Sequence, residues 1–319
     1  MKLFNQFLRL SLIAAACGVF SANVHADDSE QVFASPDEAI SAFKAAVQAK
    51  DRAELDKIFG PDLHQLLTGD KVQDENNRER FAATLAEGVN PVNDGDDKII
   101  LEVGTNNWPM PIPLVKANGQ WHFDTDAGKE EIINRHIGED ELCAIGVCRT
   151  FVTAERQFAT LNQEADGGPH YAQKFKSTPG KKDGLYWPAS DSEQASPFGP
   201  LVAEAHTEGY GHHKGPGPHP FHGYYFRVLT SQGKAAPGGR MNYLTQGNLT
   251  KGFALVAYPE HWDKSGIMTF IVNQDGKVYQ RNLAEKTTHV AGEMKEYNPD
   301  TRWTLVDDQG VMTAASEKE

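Results

Sequence analysis

The chain has 319 residues, 24% of them charged, and a formal net charge of −13 at pH 7. This excess of acidic side chains repels phosphate backbones and anionic lipid surfaces, and it therefore excludes nucleic acid as a main partner. At about 150 residues per domain, the length predicts two domains.

The N-terminus has the features of a secretory signal. Basic residues precede a mainly apolar run, residues 10–22, and Val24-His25-Ala26 supplies the small residues of a cleavage site. We expect cleavage after Ala26 and a periplasmic or secreted product; lipidation at Cys17 is the alternative. The apolar run is shorter than the roughly 20 residues of a membrane span, so no stable membrane insertion is expected after cleavage.

Residues 27–126 predict a first, α+β domain. Ser35-Pro36-Asp37-Glu38 combines a helix N-cap with proline at the first helical position, and Asp51 begins a second short helix. A third helix carries Phe81 and Leu85. The spacing of apolar residues then changes to that of strands. The predicted strands are Lys98–Val103, Ile112–Lys116 and Gln120–Asp124, with a hairpin turn at Asn118-Gly119.

Residues 127–307 predict a second α+β domain. We expect a helix from Ala127 to His136 that Gly138 interrupts, then a long helix from Glu139 to Leu161 with a broad apolar face. A Gly-, Pro- and His-rich insertion, residues 166–222, separates this helix from an antiparallel sheet, and Tyr186, Trp187 and Phe198 predict that it is ordered in part. A polar tail, residues 308–319, ends the chain. The predicted strands are Gly223–Thr230, Gly252–Pro259 and a hairpin within Gly266–Leu283 around Asp275-Gly276.

Two cysteines, Cys143 and Cys148, follow the signal. On one helix, five residues advance about 7.5 Å along the axis. That separation exceeds the roughly 4.4–6.8 Å between the Cα atoms of a disulfide. We therefore expect both thiols to stay unbridged.

The first predicted domain resembles the cone of the nuclear-transport-factor-2-like superfold, in which helices precede a curved antiparallel sheet. Trp108, Trp121 and Phe123 could line the pocket of such a cone, although packing in the core is the other interpretation. The second domain is similar to the globular part of type IV pilins and pseudopilins, because a long helix precedes aromatic-rich strands. The long N-terminal hydrophobic helix of a true pilin is missing, so filament assembly is not expected.

Longer motifs carry a more specific resemblance. They are "FASPDEAISAF", "ELCAIGVCRTFVTAERQFA", "PGKKDGLYWPA", "FHGYYFRVLT" and "GFALVAYPEHWDKSGIMTFIVNQDGKVYQ". Together they resemble the uncharacterised bacterial family catalogued as domain of unknown function 2950. The resemblance implies an exported bacterial protein. It assigns no catalytic residue.

Histidines are concentrated in "GYGHHKGPGPHPFHGYYF", residues 209–226. His213, His219 and His222 could converge on a transition metal if this loop folds back on itself. The irregular spacing and the prolines instead favour a solvated surface loop. We expect His222 to be structural, because it precedes a strand, and no metal is assigned to the loop.

A second ligand pattern follows the long helix. Asn162, Glu164 and Asp166 place oxygen side chains at the first, third and fifth positions of a calcium loop, with a glycine at the sixth. The twelfth position is Gln173, which lacks the bidentate carboxylate that normally completes such a site. The alternative is a polar loop that ends the helix.

No catalytic motif is present in the sequence, and no cofactor is predicted. The first hypothesis is therefore a non-enzymatic exported binding or scaffold module with an envelope protein as partner. The alternatives are a small-molecule binder or hydrolase that uses a pocket in the first domain, and a metal-binding protein that uses the histidine-rich loop. An open pocket with convergent polar groups would favour the small-molecule alternative.

Overall fold

A computed structural model describes residues 30–162, 168–188, 195–210 and 219–307. The architecture is α+β, as predicted, with antiparallel sheets in both halves of the chain. Among the described helices, none is both long enough and apolar enough to cross a membrane.

The helices of the first half begin at side-chain caps. Ser35 Oγ accepts a hydrogen bond from the Glu38 amide at 3.3 Å, and Asp51 Oδ1 accepts one from the Glu54 amide at 3.1 Å. These contacts satisfy amides that have no partner inside the helix. The helices are α1 (Pro36–Ala49), α2 (Arg52–Phe59), a 3-10 helix (Pro61–Leu66) and α3 (Lys71–Glu87).

The first sheet packs against these helices. Asn118 and Gly119 have positive φ angles of 53° and 83°, which is the backbone of a tight hairpin turn, so the predicted hairpin is confirmed. Phe43, Phe59 and Phe123 form the centre of the core beneath the sheet, with ring centroids 5.0–5.3 Å apart. The strands are β1 (Val89–Asn93), β2 (Lys98–Val103), β3 (Trp108–Pro109), β4 (Leu114–Ala117) and β5 (Gln120–Phe123), in the order β1-β2-β4-β5 with β3 beside β2.

The predicted interruption at Gly138 is wrong. A single 37-residue helix, α4, runs from Thr125 to Leu161. Glycine inside a helix costs only about 1 kcal/mol relative to alanine, and packing of both ends of α4 outweighs that cost. Ile132 packs on the first core, and the helix enters the second core from Ala144 onward. The predicted domain boundary at residues 126 and 127 lies in the first turn of α4.

The second sheet is buried on both faces. One face packs on the C-terminal part of α4 through Phe151 and Phe270, and the other is covered by Tyr243 and Tyr297. Parts of the insertion complete the first of these layers, since Trp187 and Phe198 are buried in it. Its described parts include α5 (Gly199–Glu208). Its strands are β6 (Tyr224–Leu229), β11 (Ala254–Pro259), β12 (Met268–Asn273), β13 (Tyr279–Asn282) and β15 (Thr304–Leu305). Their order in the sheet is β15-β13-β12-β11-β6.

Short elements flank the second sheet. They are β7 (Ser231–Gln232), β8 (Met241–Asn242), β9 (Leu244–Thr245), β10 (Asn248–Leu249), β14 (Glu296–Tyr297), a 3-10 helix (Ala284–Lys286) and α6 (Thr287–Gly292). In a three-stranded sheet, β7 pairs with β14 in parallel and with β8 in antiparallel orientation.

Candidate functional site

The helices and sheet of the first half enclose an open cleft of about 860 Å³. Its walls come from α1, α2, the 3-10 helix, α3, the chain around β3 and the first part of α4. This volume falls in the roughly 300–1,000 Å³ range of small-molecule sites in proteins. We call it the N-terminal cleft.

The floor of the N-terminal cleft is apolar. Phe43, Met110 and Ile112 line it and are at most 5% exposed. Phe81 lies above them, 6.0 Å from the Phe43 ring and 6.1 Å from the Trp108 ring between centroids. Trp108 is 37% exposed and lines the cleft, so part of its indole surface faces solvent there.

Of the three aromatic residues proposed to line a pocket, Trp108 does so. Trp121 and Phe123 are buried in the core beneath the sheet instead. The sequence places all three on or near strands. The side of the sheet that each one faces depends on strand register, which one sequence does not fix.

Most of the charged residues around the cleft form ion pairs with one another. Arg135 Nε donates to Glu131 Oε1 at 2.7 Å, and its guanidinium carbon lies 4.8 Å from the centre of the Trp108 ring. The geometry is that of a cation over an aromatic face. Further pairs are Lys50 with Glu79, Arg78 with Glu75, Arg80 with Glu139, and His64 with Asp56.

An uncharged polar pair lies between α3 and α4. Asn77 Nδ2 and His136 Nε2 are 3.5 Å apart, at the outer limit of a hydrogen bond, and both residues line the cleft. Burial lowers the pKa of His136, so the imidazole is neutral at neutral pH. If Asn77 donates in this contact, Nε2 of His136 is the acceptor.

A buried carboxyl lies one residue beyond the cleft, at the junction of the two halves. Asp140 on α4 is fully buried, and its Oδ1 accepts a hydrogen bond from Gln73 Nε2 at 2.6 Å. Within the described residues, its Oδ2 has no hydrogen-bond partner. Burial raises the pKa of Asp140 to about 8, so the carboxyl is largely protonated at neutral pH.

A second buried carboxyl, Glu155, lies further along the same helix. Its Oε2 accepts a hydrogen bond from the Ala172 amide at 2.8 Å, and burial raises its pKa to about 8. Neither acid was predicted from the sequence, although a signal existed. Asp140 and Glu155 fall on the apolar stripe of α4, four residues from Ala144 and Phe151 respectively.

The structure only partly places the predicted histidine cluster. His213 lies outside the described residues, and His219 is exposed. His222 Nε2 lies 2.9 Å from Glu208 Oε2, at the C-terminus of α5, and the residue has a φ of +44°. Within the described parts of the chain, no three His, Cys, Asp or Glu side chains are arranged to hold a metal ion.

The calcium pattern falls mainly outside the description. Glu164 and Asp166 are not among the described residues. The side chain of Asn162 donates to the Phe158 carbonyl oxygen at 3.0 Å, and its backbone amide donates to the same oxygen at 3.0 Å. In the structure, Asn162 therefore caps the end of α4.

The cysteine prediction is confirmed. Cys143 and Cys148 lie on α4 and are not joined by a disulfide. Cys148 is fully buried in the second core, where burial raises the pKa of its thiol to about 12. A thiol with so high a pKa is a poor nucleophile.

The fold and the site define a class: an α+β protein with a sheet in each half and an apolar cleft in its first half. By its sequence, the chain belongs to the family described as "Protein of unknown function (DUF2950)", whose sequence model matches residues 30–306. The resemblance of the long motifs is thus confirmed. No curated protein and no solved structure matches the chain. The resemblances to the nuclear-transport-factor-2-like cone and to pilins are not confirmed.

Proposed function

We propose that this chain is an exported, non-enzymatic binding protein that holds a small, largely apolar molecule in the N-terminal cleft. The observation that carries the proposal is the cleft of about 860 Å³. Its floor is apolar, and its lining includes a half-exposed indole, Trp108. The secretory signal pattern at the N-terminus supports export.

The apolar lining supports binding more than catalysis. A ligand that covers Phe81 and Trp108 releases water from their surfaces. This release favours binding by about 25 cal/mol for each Å² of apolar surface that is covered. The carboxylates that line the cleft already accept hydrogen bonds or ion pairs from the protein. Asp74 Oδ1 accepts from the Thr68 amide and hydroxyl, both at 2.9 Å, and Glu87 accepts from the Thr105 amide at 3.1 Å. Such engaged carboxylates are poorly placed to act as general bases.

An uncharged fluorescent probe, N-phenyl-1-naphthylamine, tests the proposal. We expect its emission to rise on addition of the protein, and we expect Ala82→Trp to abolish that rise, because Ala82 lines the cleft. Ala83→Trp is the matched control, since the neighbouring Ala83 is exposed and outside the cleft lining. Absence of binding, or equal binding by the two variants, would overturn the proposal.

A further inference from the structure

We propose that the ligand of the N-terminal cleft is an uncharged amphipathic molecule, whose apolar body lies on Phe81 and Trp108 and whose hydroxyl or similar uncharged head group hydrogen-bonds to Asn77 and His136. This inference rests on the proposed function and names the class of ligand. Three observations carry it: the pairing of charges around the cleft, the long contact between Asn77 and His136, and the position of that contact among apolar walls.

The pairing of charges argues against a charged head group. Each carboxylate that lines the cleft has a partner within the protein, and so do Lys50, Arg78, Arg80 and Arg135. A charged ligand would have to leave water and then compete with an existing partner for its counter-ion, which is unfavourable. Arg52 is the remaining cation of the lining, and it is exposed on the rim, where its charge acts on Glu75.

The polar groups of Asn77 and His136 can form hydrogen bonds with a ligand. At 3.5 Å between Asn77 Nδ2 and His136 Nε2 it is a weak hydrogen bond, and both side chains are only partly buried. A neutral imidazole offers an acceptor at Nε2, and the amide offers a donor. One hydroxyl can satisfy both groups, because it accepts from the Asn77 amide and donates to the imidazole.

Apolar side chains flank this polar pair along both helices, and one charged neighbour, Arg80, donates a hydrogen bond to Asn77 Oδ1. Ile132 lies one helical turn before His136 on α4, and Phe81 lies one turn after Asn77 on α3; both line the cleft. A head group at the polar pair therefore directs its apolar body along the Phe81 and Trp108 rings. The arrangement is that of small-molecule sites in general, with a mainly apolar wall and a few polar groups that fix orientation.

Three ligands that differ only in head group test the inference: 1-decanol, decanoate and decylammonium. Each is titrated by displacement of N-phenyl-1-naphthylamine and, independently, by calorimetry, so that head-group preference is measured whether or not the probe binds. We expect decanol to bind about tenfold more tightly than either charged ligand. We also expect His136→Phe to remove that preference while the affinity for the apolar body remains.

Asn77→Leu gives the same test if His136→Phe fails to fold, and His289→Phe, at an exposed histidine of α6, is the matched control that keeps the preference. Equal or tighter binding of decanoate or decylammonium would overturn the inference, as would an unchanged preference in both cleft variants. If Ala82→Trp leaves binding of all three ligands intact, the proposed site itself is wrong. The two failures are thus distinguishable.

Discussion

At the scale of single residues, helix α4 carries two fully buried carboxyl groups, those of Asp140 and Glu155. One carboxyl oxygen of Asp140 accepts a hydrogen bond from Gln73, and the other has no hydrogen-bond partner among the residues that the structure describes. Because burial removes the carboxyl from water, and nearby carboxylates add to the effect, the pKa is raised and the protonated form is favoured. A pH-dependent contribution to the free energy of unfolding follows.

The first prediction concerns Asp140→Asn. The folded pKa of about 8 lies above the ordinary value of 3.8, so the folded state holds a proton that the unfolded state releases. Stability from this group is therefore fully present below about pH 4 and is lost as the pH rises through about 8, with a slope of at most about 1.4 kcal/mol per pH unit. Asp140→Asn should make this decrease with pH shallower, as measured by the free energy of unfolding from urea denaturation at several pH values.

Glu130→Gln, at an exposed position on the same helix, is the control and should keep the wild-type pH profile. If Asp140→Asn and wild type lose stability equally between pH 4 and 8, the carboxyl is ionised in the folded protein and our description of it is wrong.

The second prediction concerns the histidines. Changing His212, His213 and His219 together to Ser should leave the melting temperature nearly unchanged, with or without a chelator, because we assign no required metal to the loop. His222→Ala should lower it by about 2–4 °C, since its 2.9 Å contact with Glu208 is lost. A strong rise in the wild-type melting temperature with Zn²⁺, absent from the triple variant, would instead identify a metal site.

At the scale of elements, sequence patterns located α1, α2 and seven of the described strands of the two larger sheets to within a few residues, and they missed β1, α5 and α6. The caps at Ser35 and Asp51 and the turn at Asn118-Gly119 have strong local signals, and each lies where the sequence predicted it. The error at Gly138 has a different origin. The stability of α4 there comes from cores at both of its ends, and a local rule for glycine does not include such tertiary packing.

The third prediction uses two glycines of α4. Gly138→Ala should stabilise the protein by about 0.5–1 kcal/mol, because, apart from the local backbone of α4, no atom of the described residues lies within 4 Å of the added methyl, and helix propensity improves. Gly128→Ala should destabilise it by about 1–3 kcal/mol, because its Cβ would lie 2.8 Å from Ile112 Cα and 2.9 Å from Ile112 N. Urea denaturation measures both. Similar effects of the two changes would contradict the continuous, closely packed helix.

The cleft itself could be anticipated only in part. The sequence predicts Phe81 on a helix and Trp108 either in a pocket or in the core, yet it does not reveal that their neighbours leave space between α3 and α4. Nor does it show that Asn77 and His136, 59 residues apart in the chain, meet there. Contacts of that separation depend on how the elements pack, which local periodicity does not determine.

At the scale of the whole molecule, polar contacts between described residues join the two halves beside the cleft, in addition to α4. Gln73 donates to Asp140 at 2.6 Å, Asn76 donates to the Glu208 carbonyl oxygen at 2.9 Å, and the Tyr210 hydroxyl donates to Asp70 at 2.8 Å. All three start from the N-terminal half of α3 or its cap. Helix α3 therefore both lines the cleft and contacts the second half of the chain.

The fourth prediction concerns export. The small residues before Asp27 predict that the mature chain begins there, with a net charge of −15 after loss of two basic residues from −13 (−13 − 2). Intact-mass measurement on protein from the extracytoplasmic fraction of a bacterial host should give the mass of residues 27–319. A mass that begins at Met1, or at a lipid-bearing Cys17, would contradict the predicted processing.

The central claim, that the N-terminal cleft binds a small uncharged amphipathic molecule, is tested most directly by intermolecular nuclear Overhauser effects between the labelled protein and 1-decanol in solution. Our account predicts contacts from the alkyl chain to the rings of Phe81 and Trp108, and from the carbon that bears the hydroxyl to His136. Contacts confined to the second half of the chain, or a carbinol carbon close to Arg52 instead of His136, would contradict it.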